Sequence, residues 1–356
     1  MFEREKWYSK LPSDFFRVWE PNLNLFFETM YERQMIWKRR FLDGKARPWT
    51  DNVILANYKF TNVYRELDRS SQWQIRNILL DKSLSLTNLV WKLMVYRFFN
   101  NPETFTFEPS EHRDLFNPLD NAIPASRWRN GIPDYEAYDE DEFADFIQGI
   151  RDAGMNPYTN AYLINSMATP GKSRDYCYLR LVIPSLHKAI PRLMKMVLSA
   201  KKPEEIIRFL KTIPSVADFI AHEFYQDFTY IPRYADRPFM AFDQNDYTNV
   251  GPGASVGIRL IFPQLKGKGQ KEGIYLLRDM AAEKLNIISQ VKGEPFPYLY
   301  WDKATQSYYV NEKPNITLHQ IEMWLCEFQK YWKMTIGEGK QRSAFVPKTK
   351  TWKKDK

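Results

Sequence analysis

The sequence predicts a mainly α protein that carries helix-hairpin-helix elements and at most a small β-hairpin. Apolar residues recur at three- and four-residue spacing along most of the chain, as helices with one buried face require. Two short turns rich in Pro, Gly or Ser each open onto such a stretch. Short strands are expected over residues 298–301 and 307–310, which residues 302–306 would join as a hairpin.

Over residues 22–41 the stripe is Leu25, Phe26, Met30, Ile36, Trp37 and Phe41, and Gly44 and Pro48 stop it. A second helix is expected over 61–82 on Val63, Leu67, Ile75, Ile78 and Leu79. A third and more apolar one follows over 86–99, so this region reads as a helical bundle. Residues 100–139 are rich in Pro, Asn, Asp and Gly and fit a long ordered loop or a set of short helices. Residues 158–167 fit a strand or a helix, and 168–173 a turn. Helices are then expected over 186–200, from Pro203 through Ile206, Ile207 and Leu210, and over 216–228, 254–262, 274–290 and 317–334. This pattern divides the chain into an N-terminal helical region (1–150), a helix-hairpin-helix region (151–340) and a basic tail (341–356).

With 356 residues, 44% of them apolar, the chain can bury a large core or two medium ones. Its 51 Lys and Arg outnumber 43 Asp and Glu, a net charge of +8 that favours anionic partners, nucleic acid first among them. The basic residues cluster at Lys38-Arg39-Arg40, Lys201-Lys202, residues 266–271 and the tail. Cys177 and Cys326 are far apart and form no CxxC pair, so neither a disulfide framework nor a metal site is expected, and no cofactor is called for. No segment approaches the ~18 uninterrupted apolar residues of a membrane span, and the charged start lacks a signal-peptide core. A cytoplasmic protein without a membrane partner is the expectation. Aromatic residues make up 16% of the chain, enough for a core and for a nucleobase pocket besides.

Several clusters could carry chemistry. Ile213-Pro214-Ser215-Val216-Ala217-Asp218 resembles the Leu-Pro-Gly-Val-Gly hairpin of DNA glycosylases, with Ser215 and Ala217 standing where those enzymes have glycine. Asn249-Val250-Gly251-Pro252-Gly253-Ala254-Ser255 keeps its glycines before a helix, a place where exposed N–H groups and the helix dipole can hold a phosphate. The run Asp243-Gln244-Asn245-Asp246 just before it suits general-base work or an amine, or simply caps the next element. Glu223 and Asp227 stand i, i+4 with His222 beside them. Gly171-Lys172-Ser173 matches the end of a phosphate-binding loop, but Ser166 occupies the place of its first glycine, which leaves Lys172 and Arg174 as simple cations.

The residues Trp49-Thr50-Asp51, Tyr58 to Gln72, Thr159-Asn160-Ala161-Tyr162, the two hairpin turns and Ile321 to Tyr331 together resemble a phage thymidine-hypermodification family. It comprises alpha-glutamyl and putrescinyl thymine pyrophosphorylases and the helical domain of hydroxymethyl-deoxyuridine DNA kinases. The resemblance implies a DNA-glycosylase-like fold and an amino acid:DNA transferase. Such an enzyme takes 5-hydroxymethyluracil in double-stranded DNA, pyrophosphorylated by a separate kinase, and replaces pyrophosphate with the nitrogen of an amino acid or polyamine. It would work in the host cytoplasm and reach the base by flipping it out of the stack. On this reading Asp243, Asp246 or Glu223 supplies the base. Arg65, Arg69, Lys172, Arg174, Gly251, Gly253 and Ser255 meet DNA or phosphate, and Tyr64, Tyr162, Phe242 or Trp73 stacks on the base. Base excision as in the glycosylases, DNA binding without catalysis, and a hydroxymethyl-deoxyuridine kinase are the alternatives.

Overall fold

The computed structural model describes residues 18–106, 131–159, 173–267 and 269–338. Its helices of eight residues or more are, in chain order, α1 (Glu20–Trp37), α2 (Leu86–Phe99), α3 (Glu140–Asp152), α4 (Ile183–Ser199), α5 (Pro203–Leu210), α6 (Asp218–Tyr230), α7 (Pro252–Ile261), α8 (Gly269–Lys292) and α9 (Leu318–Thr335). A single hairpin, β1 (Tyr298–Asp302) with β2 (Ser307–Asn311), is the only sheet among the described residues. The mainly α class with a small hairpin is therefore the observed one.

The described residues form two compact units that interleave along the chain. The first takes those up to Arg65, Val250–Tyr300 and those from Tyr308; the second takes Glu66–Asn249 and Trp301–Ser307. The sequence reading instead divides the chain at 150 and 340.

In the first unit, α7 lies against both α1 and α9. The last carbonyls of a helix lack intrahelical donors. Those of α7 are met by α1, where the Trp19 N–H donates to the Ile261 carbonyl (2.8 Å) and Asn22 Nδ2 to that of Leu260 (2.7 Å). Against α9 the contact is backbone on backbone. A Cβ on Gly257 would come within 2.5 Å of the Leu325 carbonyl oxygen, and one on Gly253 within 2.9 Å of Cys326 Sγ. Phe26 meets Phe27 and Phe328 edge to face at 5.0 and 5.4 Å, and the indole N–H of Trp324 donates to the Phe26 carbonyl (3.1 Å). Thr317 caps α9 through a reciprocal box with Gln320.

In the second unit α2 is the central helix. Ser85 caps it by accepting from the Asn88 N–H (3.1 Å), Asn100 ends it with φ at +49°, and every residue from Asn88 to Phe99 is buried. A helix apolar on all sides belongs in the middle of a fold. Even its two charges, Lys92 and Arg97, lie inside. The apolar stripes of α3 (Phe143, Phe146, Ile147, Ile150) and α4 (Ile183, Leu186, Ile190, Leu193, Val197) are buried in this unit.

One expected helix is not continuous. Residues 61–82 hold a short 3₁₀ turn (Arg65–Leu67), a helix over Arg69–Gln74 that begins after Asp68, and a wider turn in which the Leu80 N–H reaches back five residues to the Ile75 carbonyl (2.9 Å). The cause is visible in burial: Asn62, Val63, Tyr64, Arg65 and Glu66 are all inside, a run that a one-faced helix cannot bury. The first helix likewise ends at Trp37 and closes with a five-residue turn from the Asp43 N–H to the Lys38 carbonyl (3.0 Å). Most of 100–139, most of 158–173 and the basic tail lie outside the described residues. Among those described, no helix is long and apolar enough to cross a membrane.

Candidate functional site

Buried charge is expensive unless it is matched, so a cluster of it marks either a scaffold or a working site. The second unit holds such a cluster between α2 and α6. Arg97 is gripped by Asp227: its Nε donates to Oδ2 at 2.8 Å, and Nη2 meets Oδ1 more closely still. The same guanidinium donates to Gln74 Oε1 (3.1 Å) and to Asn100 Oδ1 (3.5 Å). Glu223, one helical turn before Asp227, stands 3.8 Å from Arg97 Nη1 and is buried as well. These three groups bring two negative charges to one positive charge.

Amides and an imidazole extend the cluster. Gln226 Nε2 and His222 Nε2 are 3.0 Å apart. Gln226 Oε1 and Gln74 Nε2 are buried without a hydrogen-bond partner in the protein. Polar ends left over in a buried polar cluster are what a bound group would satisfy. In the same unit Glu66, fully buried, accepts from Arg233 (2.7 Å) through one oxygen, and its Oε2 has no hydrogen-bond partner in the protein.

The helix that carries Glu223 and Asp227 follows the first hairpin turn. Ser215 holds φ at +63° between α5 and α6, a left-handed conformation that glycine adopts most easily. Ser215 thus takes a glycine-like backbone geometry in this turn.

Other expected residues are found in varied settings. Asp243 and Asp246 hold their own turn, with the Asp243 N–H donating to Asp246 Oδ2 (2.8 Å) and the Asn245 N–H to Asp243 Oδ1 (2.6 Å). They belong to the second unit, whereas Gly251, Gly253 and Ser255 belong to the first. The glycines' close approach is to α9, and a Cβ on Gly251 would lie 3.4 Å from Glu322 Oε1, so a carboxylate already stands beside this turn. Ser255 Oγ donates to Gln270 Oε1 (2.9 Å) and accepts from Arg259 (3.0 Å).

The expected phosphate contact at Arg65 does not fit this structure, because its side chain is buried. Stacking on Tyr64 or Trp73 does not fit either. Tyr64 is a core residue whose hydroxyl donates to Asn315 (2.6 Å), and one face of Trp73 is covered by Tyr96 at 4.5 Å. Phe242 is half-buried. Arg69 is exposed and paired with Glu103. Arg174 lies over the rings of Tyr158 (4.3 Å) and Tyr178 (5.3 Å), whose hydroxyl pKa values burial pushes up. Tyr162 and Lys172 lie outside the described residues. In sequence Asp227 shows as the i+4 neighbour of Glu223, but nothing there signals Arg97 as their partner.

Apart from this cluster, the first unit has an open groove of about 570 Å³ lined in part by Glu283, Asn286, Gln290, Glu294, Tyr298 and Glu312. Lys38 engages Glu294 there at 2.9 Å.

Comparison with known proteins points one way. A family model described as the helical domain of 5-hmdU DNA kinase matches residues 20–341. The 5-hmdU DNA kinase of Bacillus phage SP10 is 25% identical over 317 residues, covering 86% of this chain and 44% of that protein. The chain therefore spans less than half the length of this curated relative. No solved structure matches significantly.

Proposed function

The chain belongs to the family of 5-hmdU DNA kinase helical domains, and from that premise we propose that it acts in the hypermodification of thymine, on 5-hydroxymethyl-deoxyuridine already in DNA. Our finer reading is an amino acid:DNA or amine:DNA transferase, and Glu223 is the observation that carries it. This carboxylate is buried 3.8 Å from an arginine that Asp227 grips, in a cluster where Gln74 Nε2 and Gln226 Oε1 have no hydrogen-bond partner in the protein.

The reaction calls for such a group. A separate kinase would leave pyrophosphate on the exocyclic methylene of the base. The amine nitrogen forms a C–N bond to that carbon as the C–O bond to pyrophosphate breaks, and the nitrogen sheds a proton. Glu223 accepts the proton, and Arg97, held by Asp227, fixes the carboxylate in place. Cations such as Arg174, Arg69 and Lys172 would steady the leaving group. An extruded base brings the methylene within reach. The half-buried Phe242 beside Asp243 remains the candidate stacking ring. Asp243 and Asp246 rank behind Glu223, since their oxygens hold backbone N–H groups.

Incubating the protein with 5-hmdU DNA, an independent 5-hmdU kinase, ATP and a mixture of amines, then weighing the nucleosides by mass spectrometry, tests this. The expected product is heavier than the substrate nucleoside by the amine less one water. Phosphorylated 5-hmdU formed by this chain alone with ATP would establish the kinase reading that the relative's name favours. Abasic sites would establish base excision, and DNA binding without any product would establish a non-catalytic member.

A further inference from the structure

In the second unit the solvent face of α4 carries charge of one sign. Lys188, Arg192 and Lys195 stand at i, i+4 and i+7, all exposed, on the side away from the buried Leu186, Ile190, Leu193 and Val197. The helix contains no Asp or Glu. Its neighbours in the unit differ: α3 has five acids against Arg151, α5 two against Arg208, α6 three and no Lys or Arg, and both cations of α2 are buried. Lys201 and Lys202, exposed as well, follow α4 directly.

None of the three cations pairs with an acid among the described residues. Arg192 rests its guanidinium 5.7 Å from the Phe209 ring, and no carboxylate answers it there. The acids that come next in the chain are engaged with other groups: Glu205 accepts from the Lys201 N–H (3.0 Å), and Asp218 pairs with Lys211 (2.5 Å). Like charges one helical turn apart repel each other. A row of three without a counter-charge is thus a cost to the folded chain, one that an anionic partner would remove.

The rest of the helix says which anion fits. It has no Phe, Tyr or Trp, and its one aromatic side chain, His187, is half-buried against Tyr135 at 4.3 Å, so unpaired bases find nothing to stack on. A lipid surface requires an exposed apolar stripe, and that of α4 is buried. A duplex backbone requires only cations in a row. Lys188 to Lys195 spans about 10 Å at ~1.5 Å per residue, a length over which a duplex presents about six phosphate charges, about three on each strand. We propose that Lys188, Arg192 and Lys195, with Lys201 and Lys202 beyond them, dock the sugar-phosphate backbone of double-stranded DNA irrespective of its sequence. This rests on the reading of the chain as a DNA-acting protein but makes no use of Glu223.

Anisotropy of a labelled, unmodified DNA duplex, titrated with the full chain over a range of salt, tests the proposal. Lys188→Gln/Arg192→Gln/Lys195→Gln is expected to bind at least about tenfold more weakly, with a slope of log affinity against log salt smaller by about 2.7, the value for three lost duplex phosphate contacts. Lys188→Gln/Lys195→Gln, which spares the packing of Arg192 on Phe209, should lower the slope by about 1.8. Lys292→Gln/Lys313→Gln/Lys333→Gln removes the same net charge from exposed positions of the first unit and should change the slope by less than about 0.9, one contact's worth. Unfolding midpoints confirm that each variant is folded. Wild-type affinity and slope in both α4 variants would overturn the proposal, as would an equal loss in the first-unit variant. A loss seen with single strands or with phosphatidylserine vesicles but not with the duplex would overturn it too. Because this assay contains no modified base, kinase or amine, its failure leaves the transferase reading intact, and the reverse holds as well.

Discussion

Arg97 is the residue on which the second unit's interior depends. Removing one partner of a buried ion pair leaves the other uncompensated and typically costs about 3–5 kcal/mol. Arg97→Met should therefore destabilise the protein by about that much in denaturant unfolding, and Arg97→Met/Asp227→Leu should recover a large part of the loss. Glu223→Gln keeps the shape and removes the charge, so transfer activity should fall. Cys326 offers a check in the first unit. Burial, followed by the charges of Glu322 and Glu327, pushes its thiol pKa well up. Native Cys326 should thus resist alkylation at pH 8 and react once the chain is unfolded. By linkage, its contribution to stability is present below the ordinary thiol pKa and is lost as pH rises from there toward the raised folded value. At this scale the sequence is only partly informative. Glu223 and Asp227 show their shared face by spacing alone, but Arg97 lies 130 positions from Asp227, and no local pattern links them.

Among the elements, α2 is the most legible, because its residues are largely apolar over a helix-long stretch and the expected bounds, 86–99, coincide with the observed ones. Ser85→Ala should cost about 0.5–2 kcal/mol through the lost cap. The helix expected over 61–82 fails for the converse reason: its stripe is genuine, but burial extends to residues off the stripe. The second hairpin turn shows that one pattern can serve two physical ends. Glycines before a helix suit a phosphate, yet Gly257 also lets α7 meet the backbone of α9, and Gly253 leaves room for the Cys326 side chain. Gly257→Ala should destabilise the chain by about 1–3 kcal/mol through overpacking, read as a lower midpoint of thermal or denaturant unfolding. An unchanged midpoint would show that α9 gives way easily.

For the molecule as a whole, composition indicates an anionic partner, and periodicity indicates a helical class. The interleaving of the units was not legible, because it depends on residues near the start packing with residues beyond Val250. Helical spacing reports which face of a segment is buried and is silent about which distant segment covers it. The family match gives the account its setting in modified DNA, and the buried cluster gives it a mechanism that can fail. The most direct measurement is the single-turnover rate of amine transfer to DNA carrying pyrophosphorylated 5-hydroxymethyluracil, with the wild-type chain and with Glu223→Gln. Loss of a general base predicts a rate lower by about 10²–10⁴-fold at unchanged DNA affinity. A Glu223→Gln protein that transfers the amine at the wild-type rate would contradict the account.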